Sequence, residues 1–333
     1  MGIEHITIKR VFQRMKIIPA FAFYMLLVLT SVSFGETIVI IREKGIEFED
    51  LSNVIKSELS ADFEVNDLII SKKSGTVDVQ RTLEKYKPKL VVLIDNVAVN
   101  LFIQYQTKLS DSVPRVPSLA LMGVLIEDAI EDLKNAAGIT YEIPAVSAVL
   151  GLQSVMYTKI SRIGVIHRDF CDKFINWNKE VCFKKGIQLF SRALPNKSSN
   201  FTLLIKEQIK DLVEHQRIEC LWIPNDNVLL QPQFVKNVWM PLVKEYKIPV
   251  IVGVESLVKP ELNFGAFAVL PDHSALGNQA AGMIYQIQKN NWFIDSLQVE
   301  PPLSVIKVMN YRILKEQYSI RESALRGIDR IYK

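Results

Sequence analysis

Three short polar side chains in a row follow a predicted buried strand and are the chain's best candidates for contacting a ligand. Asn225, Asp226 and Asn227 come directly after the apolar segment Cys220–Ile223 and a proline. Their carboxylate and amide groups can bond to a ligand, and the same groups can cap a helix through its free backbone N–H groups. Because Asn and Asp supply turn chemistry in most proteins, the residues alone do not decide between these two roles.

Several other loops carry candidate residues at the end of a predicted strand. In open parallel sheets, ligands bind beyond the carboxyl ends of the strands, where helix N-termini point their N–H groups outward. The rule nominates seven further residues for ligand binding: Asp95, Asn96, Met122, Gly123, Glu255, Ser256 and Asp272. Two of them have a competing structural role, which is solvent exposure for Glu255 and a helix N-cap for Asp272.

Apolar segments rich in Val, Ile and Leu alternate with amphipathic segments along the chain after residue 36. Continuous apolar strands, such as KLVVLI at 89–94, predict parallel sheets that are covered by helices on both faces. Roughly 300 residues exceed what one core usually serves and suit two domains. We therefore predict an α/β fold of two doubly wound parallel-sheet lobes.

Three segments of this chain carry a family resemblance when they are taken together. They are FGAFAVLPDHSALGNQAAGMIYQI at 264–287, CLWIPNDNVLL at 220–230, and the pair NAAGIT at 135–140 with VMNYRILKEQYSI at 308–320. In order and spacing they resemble the bacterial ABC-transporter substrate-binding proteins, whose known members include tryptophan- and phenylalanine-binding proteins. The resemblance covers most of the chain after residue 35. It implies a type I periplasmic-binding fold whose lobes close on a small solute and present it to a membrane permease.

The resemblance also implies roles for residues and boundaries for the lobes. The family segment that matches 220–230 makes a polar contact to the bound solute, which places Asp226 and Asn227 first among the candidates. The chain is expected to pass between lobes near 121–124, near 268–272 and at Glu300-Pro301-Pro302, where two prolines forbid a helix or a central strand. The expected division is a signal peptide at 1–35, an N-terminal lobe at 36–122 and 272–299, and a C-terminal lobe at 123–271 and 300–333.

Two loops depart from the family pattern. In the family, the loop after the KLVVLI-type strand is usually rich in Gly and Thr, which suit a carboxylate, whereas this chain has Asp95 and Asn96 there. The segment LALMGVLIED at 119–128 lacks the usual small hydroxyl residues and the Asp-Pro pair. Both departures argue against a free amino acid held by its carboxylate. They leave open a cationic ligand, a less polar ligand, or a lobe that has lost ligand binding.

The N-terminus has the pattern of an export signal. Lys9, Arg10, Arg14 and Lys16 precede an uncharged apolar segment at 17–35 that ends in small residues. This pattern is typical of a cleavable secretory signal peptide, and a membrane anchor is the alternative. Because no Cys follows the apolar segment, a lipoprotein is not expected. We predict a periplasmic protein whose mature chain begins close to Glu36.

Composition and motifs argue against several other classes of function. The chain holds 40 Lys+Arg and 36 Asp+Glu; the first 35 residues hold 4 and 1 of these, which leaves 36 and 35. This near-neutral balance does not predict a nucleic-acid partner. No HExxH, GxSxG, P-loop or GxGxxG element occurs, and no Cys/His spacing fits a metal, so no enzyme activity, cofactor or metal is predicted. The expected partners are a small-molecule ligand and an ABC permease. The alternative is a ligand-sensing or degenerate relative that acts as the extracytoplasmic partner of a sensor kinase.

Overall fold

Six strands form the first sheet of the computed structural model, which describes residues 35–294 and 298–333. Numbered along the chain, they are β1 (Glu36–Glu43), β2 (Phe63–Ile70), β3 (Leu90–Ile94), β4 (Ser118–Leu121), β5 (Ala136–Ile139) and β11 (Gln298–Glu300). Their order across the sheet is β11-β5-β4-β3-β1-β2, and the pairings from β1 through β3 and β4 to β5 and β11 are parallel. All five residues of β3 are buried, as expected for a central strand covered on both faces.

Helices cover both faces of this sheet and complete what we call the first lobe. One face carries α1 (Ile46–Leu59) and α10 (His273–Lys289); the other carries α2 (Thr76–Tyr86), α3 (Asp95–Thr107) and the short α4 (Ile126–Ala129). Helix α10 also packs closely on α1. Gly277 of α10 leaves no room for a side chain, since an added Cβ would lie 2.5 Å from a methyl of Val54. The small residues of α10 therefore let two helices approach each other as well as the sheet.

Seven strands form the second sheet. They are β6 (Arg162–Arg168), β7 (Gln188–Leu194), β8 (Cys220–Ile223), β9 (Val250–Val252), β10 (Phe267–Pro271), β12 (Val305–Asn310) and β13 (Arg330–Tyr332). Their order is β13-β12-β10-β9-β8-β6-β7, and every pairing is parallel except that of β10 with β12. The reversal at β12 arises because the chain returns from the first lobe before it forms this strand.

Helices also cover both faces of the second sheet, which together form the second lobe. One face carries α5 (Ala145–Val155), α6 (Asp172–Phe183) and α11 (Tyr311–Gln317). The other carries α7 (Phe201–Glu214), α8 (Pro232–Phe234) and α9 (Met240–Tyr246), with a π-helical turn at Val235–Trp239 between the last two. Three 3₁₀ turns complete the lobe at Asp169–Cys171, Glu255–Leu257 and Glu322–Gly327. The predicted class, two doubly wound parallel-sheet lobes, is confirmed.

The strand pairings correct one predicted boundary. The segment from 123 to 139 was expected in the C-terminal lobe, but β5 pairs with β4 in the first sheet, with Ser118 opposite Ala136. The chain therefore first passes between the sheets after β5, not near 121–124. The sequence signal was weak because the Ala136–Ile139 strand is short and rich in small residues. The other two passages lie between β10 and α10 and between β11 and β12.

Candidate ligand-binding cleft

A cleft of about 550 Å³ lies between the two lobes, where the carboxyl ends of strands from both sheets meet. This is the position in which open α/β sheets bind ligands. Both lobes contribute to its walls, with Asn53 and Tyr141 on the first lobe and Asn225 and Gly253 on the second. Its other principal lining residues are Glu47, Phe48, Asp50, Met122, Val124, Glu255, Leu270, Asp272, His273, Ile306 and Arg330.

The polar face of α1 forms much of the first lobe's wall. Glu47, Asp50 and Asn53 are exposed and recur every three residues, which places them on one side of the helix. The loop at 42–45 precedes α1, and the sequence analysis did not nominate these three residues. Arg42 of that loop is buried in an ion pair with Asp67, at 2.8 Å. The three-residue spacing directly after a predicted strand was the signal that could have identified the helix face.

Glu255 lines the opposite wall and holds the C-terminal strand in place. Its two carboxylate oxygens accept hydrogen bonds from Tyr332 Oη at 2.6 Å and from Arg330 Nη1 at 2.7 Å. Burial alone would raise the pKa of Glu255, but the bonds from Tyr332 and Arg330 bring it below its ordinary value. Glu255 is therefore a charged group at neutral pH. Ser256, its neighbour, is exposed and is not one of the residues that line the cleft.

Asp272 lines the cleft and caps α10 at the same time. Its Oδ1 accepts hydrogen bonds from the backbone N–H groups of Ser274, at 3.0 Å, and Ala275, at 3.5 Å. The next residue, His273, bonds through Nε2 to the hydroxyl of Tyr141 at 3.0 Å. Burial lowers the pKa of His273, so its imidazole is neutral at pH 7. The predicted cap is therefore present at Asp272, and its charge still faces the cleft.

Asn225 is placed where a ligand contact was predicted. It lines the main cleft and also a narrow gap of about 20 Å³ beneath it. Its Oδ1 atom is buried and has no hydrogen-bond partner among the described residues. The amide lies against Gly253, where an added Cβ would collide with Oδ1. A buried acceptor without a partner costs free energy unless a donor reaches it.

Asp226 has a structural role in this arrangement. Oδ1 accepts from the backbone N–H groups of Val228 and Leu229 at 2.8 and 2.9 Å, and Oδ2 accepts from Arg168 Nε at 2.7 Å. The residue is 5% exposed and does not line the cleft. Asn227 is exposed and does not line it either. The polar contact expected from this loop is therefore available from Asn225, while a ligand role for Asp226 or Asn227 stays a prediction.

The loops at 95–96 and 122–124 are tied to each other. Asn96 donates from Nδ2 to the carbonyl of Val124 at 2.9 Å and accepts from the N–H of Val124 at 2.5 Å. Gly123 is required beside this pair, because an added Cβ would lie 2.5 Å from Asn96 Oδ1. Burial raises the pKa of Asp95, and the nearby Glu43 carboxylate adds to the effect. Of the four predicted residues in these loops, only Met122 lines the cleft.

A second and more apolar cavity lies beside the segments that pass between the lobes. It has a volume of about 820 Å³ and is lined by Phe174, Trp177, Pro301 and Pro302. At its rim Lys173 of α6 bonds to Asp128 of α4 at 2.6 Å, so an exposed ion pair joins the lobes here. Glu142 lines both this cavity and the narrow gap below Asn225. Burial raises the pKa of Glu142, although its carboxylate accepts a hydrogen bond from the N–H of Leu125 at 2.6 Å.

Comparison with known proteins identifies the fold through structure. No protein-family model and no curated protein matches the sequence. A ligand-free, open substrate-binding protein with adhesive properties from Clostridium difficile matches at a TM-score of 0.65 and 16% identity, over 90% of this chain and 99% of that chain. An ABC domain in complex with L-Trp from Streptococcus pneumonia matches at 0.56 and 17%, over 89% and 100%. A leucine-binding protein from Thermotoga maritima matches at 0.51 and 11%, over 76% and 83%.

The two sheets, the three passages between them and the interlobe cleft define a type I periplasmic-binding fold. The chain is similar in fold to ligand-binding proteins of ABC transport systems, and the resemblance predicted from the three sequence segments is confirmed at this level. Within the described residues, no helix has both the length and the apolar character to cross a bilayer. Residues 1–34, which hold almost all of the predicted signal peptide, lie outside the described residues.

Proposed function

We propose that this chain is an exported solute-binding protein that captures a small molecule between its two lobes and delivers it to an ABC importer, without catalysing a reaction. The observation that carries the proposal is the 550 Å³ cleft at the facing strand ends, with polar side chains from both lobes on its walls. A site divided between two lobes couples binding to lobe closure, because only the closed arrangement brings both sets of contacts onto the solute.

Filling the cleft tests this function directly. Asn53→Trp places a large ring on the exposed face of α1 that lines the cleft, whereas Glu49→Trp places the same ring at an exposed position of α1 outside it. Ligand-depleted protein would be screened against a metabolite library by thermal shift and native mass spectrometry. We expect at least one compound to bind the unmodified protein and the Glu49→Trp variant but not Asn53→Trp. Binding that survives Asn53→Trp, or no binding across the library, would contradict the proposal.

Export is the second part of the proposal. It is supported by the four basic residues that precede the apolar segment at 17–35. Expression of the full chain should yield a periplasmic protein whose intact mass places its N-terminus close to Glu36. Retention of residues 17–35 in a membrane fraction would show an anchor instead.

A ligand-sensing or degenerate relative that partners a sensor kinase is the alternative for the same fold. It is supported by the departures from the family pattern at Asp95 and Met122. The two roles differ in the protein partner that the chain binds. Co-purification with a permease and ATPase supports transport, whereas co-purification with a histidine kinase supports sensing.

A further inference from the structure

We propose that the cleft selects an organic cation, namely an amine with an apolar body and no free carboxylate. This inference rests on the proposed solute-binding function and names the chemical class of the solute. It is carried by the charge of the cleft walls and is supported by Asn225 Oδ1, a buried acceptor of a lining residue that has no partner among the described residues.

The walls of the cleft are predominantly acidic. Four carboxylates line it, from Glu47, Asp50, Glu255 and Asp272. Among the described residues that line the cleft, Arg330 carries the only full positive charge, and Glu255 already binds it at 2.7 Å. Because walls of low dielectric constant focus the field of like charges into a cleft, this surface attracts cations and repels anions.

Two helix N-termini at the cleft would by themselves favour an anion, but a carboxylate caps one of them and another lies in the first turn of the other. Glu47, which lines the cleft, lies in the first turn of α1, and Asp272 accepts hydrogen bonds from the first N–H groups of α10. A helix terminus contributes about half a positive charge, whereas each carboxylate contributes a full negative one. The carboxylates therefore determine the sign of the field at both ends.

Asn225 adds an amide to the wall of this acidic cleft. Its Oδ1 atom is packed against Gly253 and lacks a hydrogen-bond partner in the described part of the chain. An ammonium group has three donors and no acceptor, so it suits walls that present carboxylate and amide oxygens.

The remaining walls suit an apolar body. Phe48 and Tyr141 offer aromatic rings, and Leu270 and Ile306 offer aliphatic surface. Aromatic faces also attract cations through their quadrupole. An aryl-alkyl amine combines the two features that the cleft presents, a cationic end and an apolar end.

Three probes carry the same phenyl ring but different charges, so they test which charge the cleft prefers. They are the cation 2-phenylethylamine, the anion 3-phenylpropionate and the zwitterion L-phenylalanine. We expect calorimetric titration to show the amine binding at least tenfold more tightly than either of the other two. Its affinity should fall as NaCl is raised from 20 to 300 mM, because salt screens the acidic walls. Tighter binding of the acid or of the zwitterion would overturn the inference while leaving the proposed function intact.

Matched variants test whether the preference for the amine arises from charges in the cleft. Glu47→Gln should weaken the amine roughly two- to fivefold, as expected for an exposed charge pair. Arg330→Gln should strengthen it by a similar factor, because it removes the positive charge. Glu49→Gln is the control, since Glu49 lies in the same first turn of α1 but outside the cleft. Equal effects of Glu47→Gln and Glu49→Gln, or weaker binding after Arg330→Gln, would contradict the assignment.

Failure of this inference and failure of the proposed function give different results. If none of the three probes binds but an uncharged or anionic compound from the library does, the cation inference is wrong and the solute-binding function stands. If neither the probes nor the library yield a compound whose binding is lost in Asn53→Trp, both are wrong.

Discussion

The hydroxyl of Tyr141 and Nε2 of His273 lie 3.0 Å apart and join two of the three segments that pass between the lobes. Tyr141 follows β5 at the first passage, and His273 opens α10 directly after the second. Burial raises the pKa of Tyr141 and lowers that of His273. Both groups are therefore neutral at pH 7, and the bond ties the two passages together at the floor of the cleft.

Acid should weaken the stabilisation that a neutral His273 provides. Because its folded-state pKa lies below the unfolded value of about 6.5, this stabilisation is present above that pH and is lost as pH falls through the folded pKa. At pH 7.5, His273→Asn should lower the free energy of unfolding by about 1 kcal/mol through loss of the bond to Tyr141. The difference from the unmodified protein should shrink as pH falls to 5, measured by urea unfolding. Tyr141→Phe removes the bond but keeps the titrating ring, so its deficit should change less with pH; a constant deficit in His273→Asn would contradict the assignment.

Asp226 should act on stability and not on ligand affinity. Replacement by Ala leaves the Arg168 guanidinium, whose side chain is 12% exposed, without its carboxylate and frees the N–H groups of Val228 and Leu229. We expect a loss of about 3 kcal/mol in the free energy of unfolding, because an unpaired charge then stays in a buried site. The dissociation constant of a cleft ligand should change less than threefold. The exposed neighbour serves as control, and Asn227→Ala should change stability by less than about 0.5 kcal/mol. A large loss of affinity with normal stability would instead support the ligand role predicted for Asp226 from the sequence.

Two glycines of α10 should respond to alanine in opposite directions. A Cβ at Gly277 would lie 2.5 Å from Val54, so Gly277→Ala forces α1 and α10 apart and should cost about 1–3 kcal/mol. A Cβ at the exposed Gly282 meets nothing within 4 Å, so Gly282→Ala should stabilise the helix by about 0.5–1 kcal/mol. Thermal unfolding of the two variants, measured side by side, checks both signs. If both variants were destabilised, the prediction for Gly282 would be wrong, because the open space around Gly282 predicts that an added methyl group is tolerated.

The alternation of apolar and amphipathic segments was sufficient to predict the fold class. Continuous apolar strands such as Leu90–Ile94 must be covered on both faces, and this requirement is local to the sequence. The strand at 136–139 was missed as part of the first sheet, because a short strand of small residues has little pattern of its own. Its place was decided by pairing with β4.

The candidate site was predictable as a set of loops but not as a set of side chains. The rule that ligands bind at strand ends led to Asn225, Glu255, Asp272 and Met122, which do line the cleft. It could not separate Asn225 from Asp226, because the two residues have similar chemistry and adjacent positions. Only the fold places Arg168 against Asp226 and leaves Asn225 Oδ1 without a partner.

The sequence by itself determined the alternating elements, the polar residues at strand ends and the near-neutral charge of the chain after residue 35, because each is a property of local pattern or composition. The tertiary structure decided where the chain passes between the lobes and which charges meet. Arg330 lies far along the chain from Glu255, yet β13 joins the edge of the second sheet and brings the two together beside the α1 face that carries Glu47 and Asp50. A chain whose net charge is near zero thus forms an acidic cleft. Folding groups charged side chains by their position in space and not by their order in the chain.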